Sequence, residues 1–401
     1  MTELLGYKVS NWQRALEVFW VFLRLGCTSF GGPLAHLAFF RQDLVQRRQW
    51  LDDKSYTDLL ALCQFLPGPT SSQVGMGIGL RRAGLVGALA AWVGFTLPSA
   101  VLMIGLAWGL DSASERVPTG LIHGMKIVAV AVVAQALWGM GRSLCPDRSR
   151  LTLAVCAALL ALAVPGAWGQ WLVIVMGATA GGLLFSADPQ PAVQDQRQPT
   201  GRWGWVAGAV FLLLLLMPMW LASGQGAQAW SLFDAFYRSG SLVFGGGHVV
   251  LPLLQSELVG PGWVDEQTFL AGYGMAQAMP GPLFSVAGFL GASASVGPGG
   301  VAGGLLGLLA IFLPALLLVL AVWPYWERLS RASWAQALLK GVNAAVVGLL
   351  LAAFYDPVWS SAIGGTTDFS LALIAFIALT QWRVPPWLAV LGAGVFGWYF
   401  L

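Results

Sequence analysis

The amino-acid sequence predicts an all-α, polytopic helical membrane protein, an inverted-topology duplication in which each half carries re-entrant hairpins of broken helices. Three observations predict it: apolar residues in long continuous runs, a set of unusual motifs that occurs twice in the same order, and a Lys/Arg bias that differs between equivalent loops.

The 401 residues are 57% hydrophobic and only 10% charged, where soluble domains hold roughly 25% charged residues. Mean hydropathy is +0.72. Runs such as Gly84 to Trp108, Gly204 to Ala222 and Gly299 to Trp323 reach about the 20 residues that a hydrocarbon core demands. They are continuous rather than alternating, which predicts helices and not a barrel. The start, MTELLGYKVSNWQRALEVF, lacks the basic patch, apolar core and cleavage site of a removable signal. Cys27, Cys63, Cys145 and Cys156 show neither CxxC nor metal-ligand spacing, so no disulfide, metal or other cofactor is expected. A net charge of +3 gives no reason to expect nucleic acid, and the 20 tryptophans suit interfacial belts.

RLGCTSFGG (Arg24 to Gly32) meets RSGSLVFGG (Arg238 to Gly246) at an offset of 214. Beyond it Trp50 and Asp52 fall on Trp263 and Asp265, QFLPGPTSSQVG on QAMPGPLFSVAG, Leu97-Pro98 on Leu313-Pro314 and Gly124 on Gly341, the offset drifting only from 213 to 217. Order and spacing together imply duplication. The first repeat is expected over residues 1–186 and the second over 223–401. Between them, 187–222 hold a Pro/Gln-rich loop and one extra helix.

One extra crossing turns the second repeat over if each repeat has an even number of crossings. Lys and Arg favour cytoplasmic loops. Arg41, Arg47, Arg48 and Lys54 lie in RQDLVQRRQWLDDK, while its counterpart QSELVGPGWVDEQ has none; Arg81 and Arg82 have their counterpart in the uncharged GASASVGPGG. The bias reverses between LDSASERVPTG, with one Arg, and YWERLSRAS, with two. Inverted repeats of this kind build many secondary transporters. Because both basic stretches that flank the first PGP segment look cytoplasmic, Tyr56 to Leu80 is expected to turn back at its tip. Each limb would have roughly 11 residues, about 16 Å. Leu16 to Gln46, broken at Phe30-Gly31-Gly32-Pro33, is expected to do the same. The expected total is nine crossings, the N-terminus cytoplasmic and the C-terminus periplasmic.

Irregular backbone at membrane depth survives only where protein or a watery cavity satisfies it, so the breaks mark a candidate site. Gly31, Gly32, Gly245 and Gly246 form one pair of breaks, Pro67, Gly68, Pro280 and Gly281 the other. A helix start after proline offers N–H groups and a positive dipole end to an anion. Thr70, Ser71, Ser72 and Ser285 follow there, and their hydroxyls either donate to an oxyanion or cap the helix. Gln64 and Gln277, three residues before each PGP, point amides at the tip or close the turn. Arg24 and Arg238 occupy matched positions. They either supply the planar donor fork that suits an oxyanion or snorkel and pair with an acid such as Glu17 or Asp234. His36, His248, His123, Lys126, Lys340 and Asn343 are pathway candidates, capping or packing being the alternative for the two histidines near the glycine breaks. No long span carries a central Asp or Glu, which disfavours cation transport and carboxylate relays.

FGGPLAHLAFFRQDLVQRRQWLDD with QFLPGPTSSQ, then FGGGHVVLPLLQSELVGPGWVDEQTF with QAMPGPLFS, together resemble the chromate ion transporter family in its long, two-domain form, over nearly the whole chain. The resemblance implies chromate efflux through the bacterial inner membrane and chromate resistance. The implied partners are chromate, or a sulfate-like dianion, and the lipid bilayer; a homodimer is compatible with this. A sulfate or other oxyanion carrier and an anion channel are the rival readings. A membrane enzyme would need a nucleophile or acid–base cluster that the sequence does not display. Pro33 against Gly247, and Thr70-Ser71 against Leu283-Phe284, suggest an asymmetric site with more donors in the first repeat.

Overall fold

The computed structural model describes residues 10–112, 119–185, 204–216, 227–330 and 332–400. The described part is helical, without a strand. The polar linker and the end of Gly204 to Ala222 lie outside it, as do the first nine residues and most of LDSASERVPTG.

In the first repeat, α1 (Asn11–Thr28) starts from a Ser10–Gln13 capping box and stops at the double glycine. Gly31 and Gly32 have φ of +97° and +79°, which only glycine adopts at little cost. Pro33 then opens α2 (Gly32–Phe40), which continues as a π-helical turn, Arg41–Arg47. Asp52 caps α3 (Asp53–Phe65), accepting from the Ser55 N–H at 2.7 Å. That bond holds its carboxyl below the ordinary carboxylate range. The cap therefore stabilises above the ordinary pKa and is lost as pH falls through the lowered one. Asp265 caps α11 (Glu266–Ala278) in the same way, on Thr268. The repeated Trp-Asp motif is thus a helix start.

Leu66 and Met279, each before a proline, are extended, as the proline ring requires. After the first PGP comes α4 (Thr70–Ser112), whose 43 residues would make one very long span by composition. Its backbone leaves helical geometry at Ala83 and Gly84. A Cβ on Gly79 would lie 2.2 Å from the Gly87 carbonyl oxygen, a contact possible only if the chain doubles back. The element is two limbs, 70–82 and 85–112. In the second repeat, a longer loop separates α12 (Val286–Ser293) from α13 (Gly300–Val322), which accounts for the drift in offset.

The hairpins are visible in their closed ends. Arg81 Nη2 reaches Ser55 Oγ at 3.5 Å, and Arg82 pairs with Glu17 at 2.9 Å while its guanidinium lies 4.7 Å from the Trp50 ring centroid. The segment enters and leaves at one end, and its 13-residue limbs span only about 20 Å each. Second-repeat geometry matches: Ser295 donates from N and Oγ to the Trp263 carbonyl, at 2.9 and 3.1 Å. The FGG hairpin of that repeat is α9 (Ala227–Ser241) followed by α10 (Val250–Leu258).

Beyond the hairpins, α5 (Thr119–Leu144), α6 (Arg148–Ala163) and α7 (Ala167–Leu184) complete the first repeat. Their counterparts are α14 (Ser333–Ala353), α15 (Thr366–Thr380) and α16 (Pro386–Phe400). Between the repeats, α8 (Gly204–Leu216) lies on α13, and its Phe211 carbonyl accepts from Tyr237 Oη at 3.1 Å. The repeats interlock. Helix α5 packs on α15 and α16, and α14 packs on α6 and α7. Both junctions are backbone-close at the matched glycines: a Cβ on Gly124 would lie 2.1 Å from the Ala393 carbonyl, one on Gly341 2.0 Å from the Gly177 carbonyl.

Candidate oxyanion site at the crossed tips

Each PGP tip docks on the FGG turn of the other repeat. The Gly68 N–H donates to the Val243 carbonyl at 2.7 Å, and the Gly281 N–H to the Ser29 carbonyl at 2.9 Å. Ser29 and Val243 are matched positions just before Phe-Gly-Gly. The same symmetry brings Pro33 to 3.3 Å of a Cβ placed on Gly247, its own counterpart. Four broken-helix tips therefore meet around one pseudo-twofold axis, as the paired breaks in the sequence require.

The glycines are needed there for space as well as φ. A Cβ on Gly281 (φ +95°) would sit 3.0 Å from Ser99 Oγ and 3.2 Å from the Phe95 carbonyl. Beneath it, Gly26 and its counterpart Gly240 let α1 and α9 reach within backbone contact of Phe95 and Ile311. Both tip amides are occupied by this docking, so neither Gly68 nor Gly281 has its N–H free for a ligand.

Side chains are distributed less evenly. His36, buried, brings Nδ1 to 3.4 Å of Ser71 Oγ and sets its ring edge-on to Phe95, with centroids 5.3 Å apart. Ser72 and Ser285 do not cap: both hydroxyls are buried without a hydrogen-bond partner. Thr70 is half-buried at the start of α4. Gln64 does not close the turn; it is exposed. Gln73 does so instead, its Nε2 donating to the Pro67 carbonyl at 2.8 Å. Gln277 and Pro280 are half-buried. His248 bonds through Nδ1 to Tyr273 Oη at 2.9 Å, and Asn343 stands beside the Gly245 turn. Gly246 follows with φ of +148°.

The two arginines differ. Arg238 pairs with Asp234 one turn earlier on α9, whereas the position matched to Asp234 in the first repeat is Trp20. Glu17 is engaged by Arg82, not by Arg24. Arg24 is exposed on α1 and forms no ion pair among the described residues. His123 Nε2 lies 3.1 Å from Asp368 Oδ1, on α15. Lys126 is buried within α5 and Lys340 half-buried on α14.

Sequence reading did not single out Ser29, Gln73, Thr96 or Ser99. All four are buried. Their counterparts are Val243, Val286, Phe312 and Ala315, so a polar residue standing opposite an apolar one in the other repeat was the available signal.

Residues 16–182 and 230–398 each match the family model described as Chromate transporter. A chromate transport protein of Pseudomonas aeruginosa is 29% identical, covering 95% of this chain and 91% of its own. One of Cupriavidus metallidurans is 25% identical over 89% and 85%. An uncharacterized transporter of Methanocaldococcus jannaschii is 26% identical over 84% and 83%. No solved structure matches the chain.

Proposed function

The chain belongs to the chromate transporter family, and from that premise we propose that it is a secondary transporter exporting chromate from the bacterial cytoplasm across the inner membrane, which confers resistance. The observation that carries this reading is the reciprocal docking of the PGP tips on the FGG turns. It brings broken helices from both repeats to one buried place. That arrangement suits a small anion, because helix starts present positive dipole ends. Arg24 supplies uncompensated positive charge five residues before Ser29, and Arg238 supplies charge screened by Asp234.

The two repeats exchange conformations to alternate access, with the site between them. Support for opposed orientations comes from the hairpin ends. The first repeat closes with Arg81 and Arg82 against a loop rich in Lys and Arg, and the second with uncharged Ser295 against Trp263. Under the positive-inside rule these ends belong on opposite faces. Cysteines placed at Arg47 and Gly260 in a cysteine-free background are expected to react with impermeant maleimide from opposite sides; labelling from one side would remove the inversion.

A dianion leaving a negative interior gains about 2.3 kcal/mol per charge per 100 mV, about 4.6 kcal/mol in all. Export therefore needs no co-transported cation. Everted vesicles are expected to accumulate chromate with saturable kinetics, faster when the lumen is made positive, with sulfate and molybdate as competitors. Absence of chromate flux at every voltage would overturn the assignment, and non-saturating flux without counterflow would make the protein a channel.

A further inference from the structure

The crossing of the tips is symmetric in backbone but not in chemistry. Around Gly68 the second repeat contributes Val243 and Ala315, with Phe312 one turn before Ala315 on α13. Around Gly281 the first repeat contributes the matched Ser29, Ser99 and Thr96, with His36 where the second repeat has Val250.

Three of these side chains carry a polar atom that is buried and unpartnered: Ser29 Oγ, His36 Nε2 and Thr96 Oγ1. Their residues are 0%, 1% and 4% exposed. They belong to one neighbourhood. The Ser29 carbonyl accepts from Gly281, the His36 ring lies beside the Ser29 backbone and packs on Phe95, and Ser99 Oγ faces Gly281 while donating to the Thr96 carbonyl at 3.0 Å. Ser72, next to the Ser71 that contacts His36, and Ser285, four residues after Gly281, add two more unpartnered hydroxyls.

A single orphaned donor in a protein interior costs free energy, and several gathered at one point mark a place that something polar fills. Hydroxyls and a neutral imidazole nitrogen can all donate. We propose that this place, at the second PGP tip, is the oxyanion pocket: Ser29, His36 and Thr96 donate to oxygens of a tetrahedral dianion, while the second repeat sets apolar Val243, Val250 and Phe312 at the matched positions and offers no such donors. The inference rests on the transporter reading and specifies which repeat recognises the substrate. Neutral donors hold the anion, and the charge of Arg24 acts on its approach.

The test uses the full-length protein in proteoliposomes. Thr96→Val keeps the side-chain shape and removes the hydroxyl; Ser29→Ala removes the other. Each is expected to raise the KM for chromate about tenfold, the effect of one lost hydrogen bond to an anion, with maximal rate changed less. Thr96→Ser is expected to restore the KM, which a packing role for the Thr96 methyl would not allow. Thr179→Val, on α7, removes a hydroxyl that bonds only its own helix and is expected to leave the KM unchanged. Chromate should also raise the melting temperature of detergent-solubilised wild type more than that of Thr96→Val. An unchanged KM and melting shift in Thr96→Val overturns the pocket, leaving it a site for water, and this variant decides even if Ser29→Ala does not fold. Failure of the wild type to transport chromate, sulfate or molybdate would instead overturn the function itself.

Discussion

Arg24→Gln is expected to lower chromate uptake by roughly 10- to 100-fold at subsaturating substrate, with the protein still inserted and monodisperse in detergent. The magnitude follows from losing about 1.5–3 kcal/mol of attraction between the guanidinium and the approaching anion, between the values for a unit charge pair in water and at a protein surface. No acid neutralises Arg24 among the described residues, since Trp20 stands where α9 has Asp234 and Glu17 is held by Arg82. Its whole charge is therefore available to an anion. Arg238→Gln is expected to act differently. It would strand Asp234, which is 7% exposed, and breaking a buried pair from one side costs about 3–5 kcal/mol. The single variant should be poorly folded, and Asp234→Asn in addition should recover yield. Measuring uptake per folded molecule separates the cases. If Arg24→Gln transports normally, its charge is not used by the substrate.

Gly281→Ala is expected to impair both stability and transport more than Gly68→Ala, although the two glycines are counterparts. At Gly281 a methyl meets Ser99 Oγ at 3.0 Å, the Phe95 carbonyl at 3.2 Å and the Gly26 carbonyl at 3.5 Å. Two of the three are backbone, which cannot step aside. At Gly68 the nearest atom is the end of the Gln73 amide at 2.9 Å, followed by the Ala315 methyl at 3.4 Å, and an amide can swing away. Both positions have positive φ, which adds about 1–2 kcal/mol for any Cβ. Overpacking against backbone adds about 1–3 kcal/mol at Gly281. Thermal melts and uptake on the two alanine variants check the order. Equal losses would mean that the docking contacts do not govern the tips.

Much of this architecture was legible because duplicated sequences report on themselves. The FGG and PGP breaks, the Trp-Asp helix starts and the paired Gly124 and Gly341 each had a second copy to confirm that their oddity was structural. The doubling back of 56–80 was readable from Arg41 to Lys54 and Arg81-Arg82, because charge cannot be left in hydrocarbon. Less could be read where side chains chose partners across the interface. Gln64 and Gln73 lie four and five residues from Gly68 in sequence, and only the helical turn after Pro69 decides that Gln73 reaches back to Pro67. The separation of Arg238 from Arg24 depended on one neighbour, Asp234 against Trp20. Ser29 and Thr96 escaped notice because single hydroxyl residues of this kind form no local pattern; the partner that the Ser29 carbonyl meets, Gly281, lies 252 positions away.

The clasp of α5 by α15 and α16, and of α14 by α6 and α7, bears on how the molecule is made. When the ribosome has finished the first half, the Gly124 and Gly177 surfaces have only lipid against them, and the Ser29 carbonyl has no tip amide to receive. That half must wait in the bilayer, inserted but unfinished, until its sister arrives. Each half synthesised alone is therefore expected to be less stable than the whole chain, because its share of the clasp has nothing to close on.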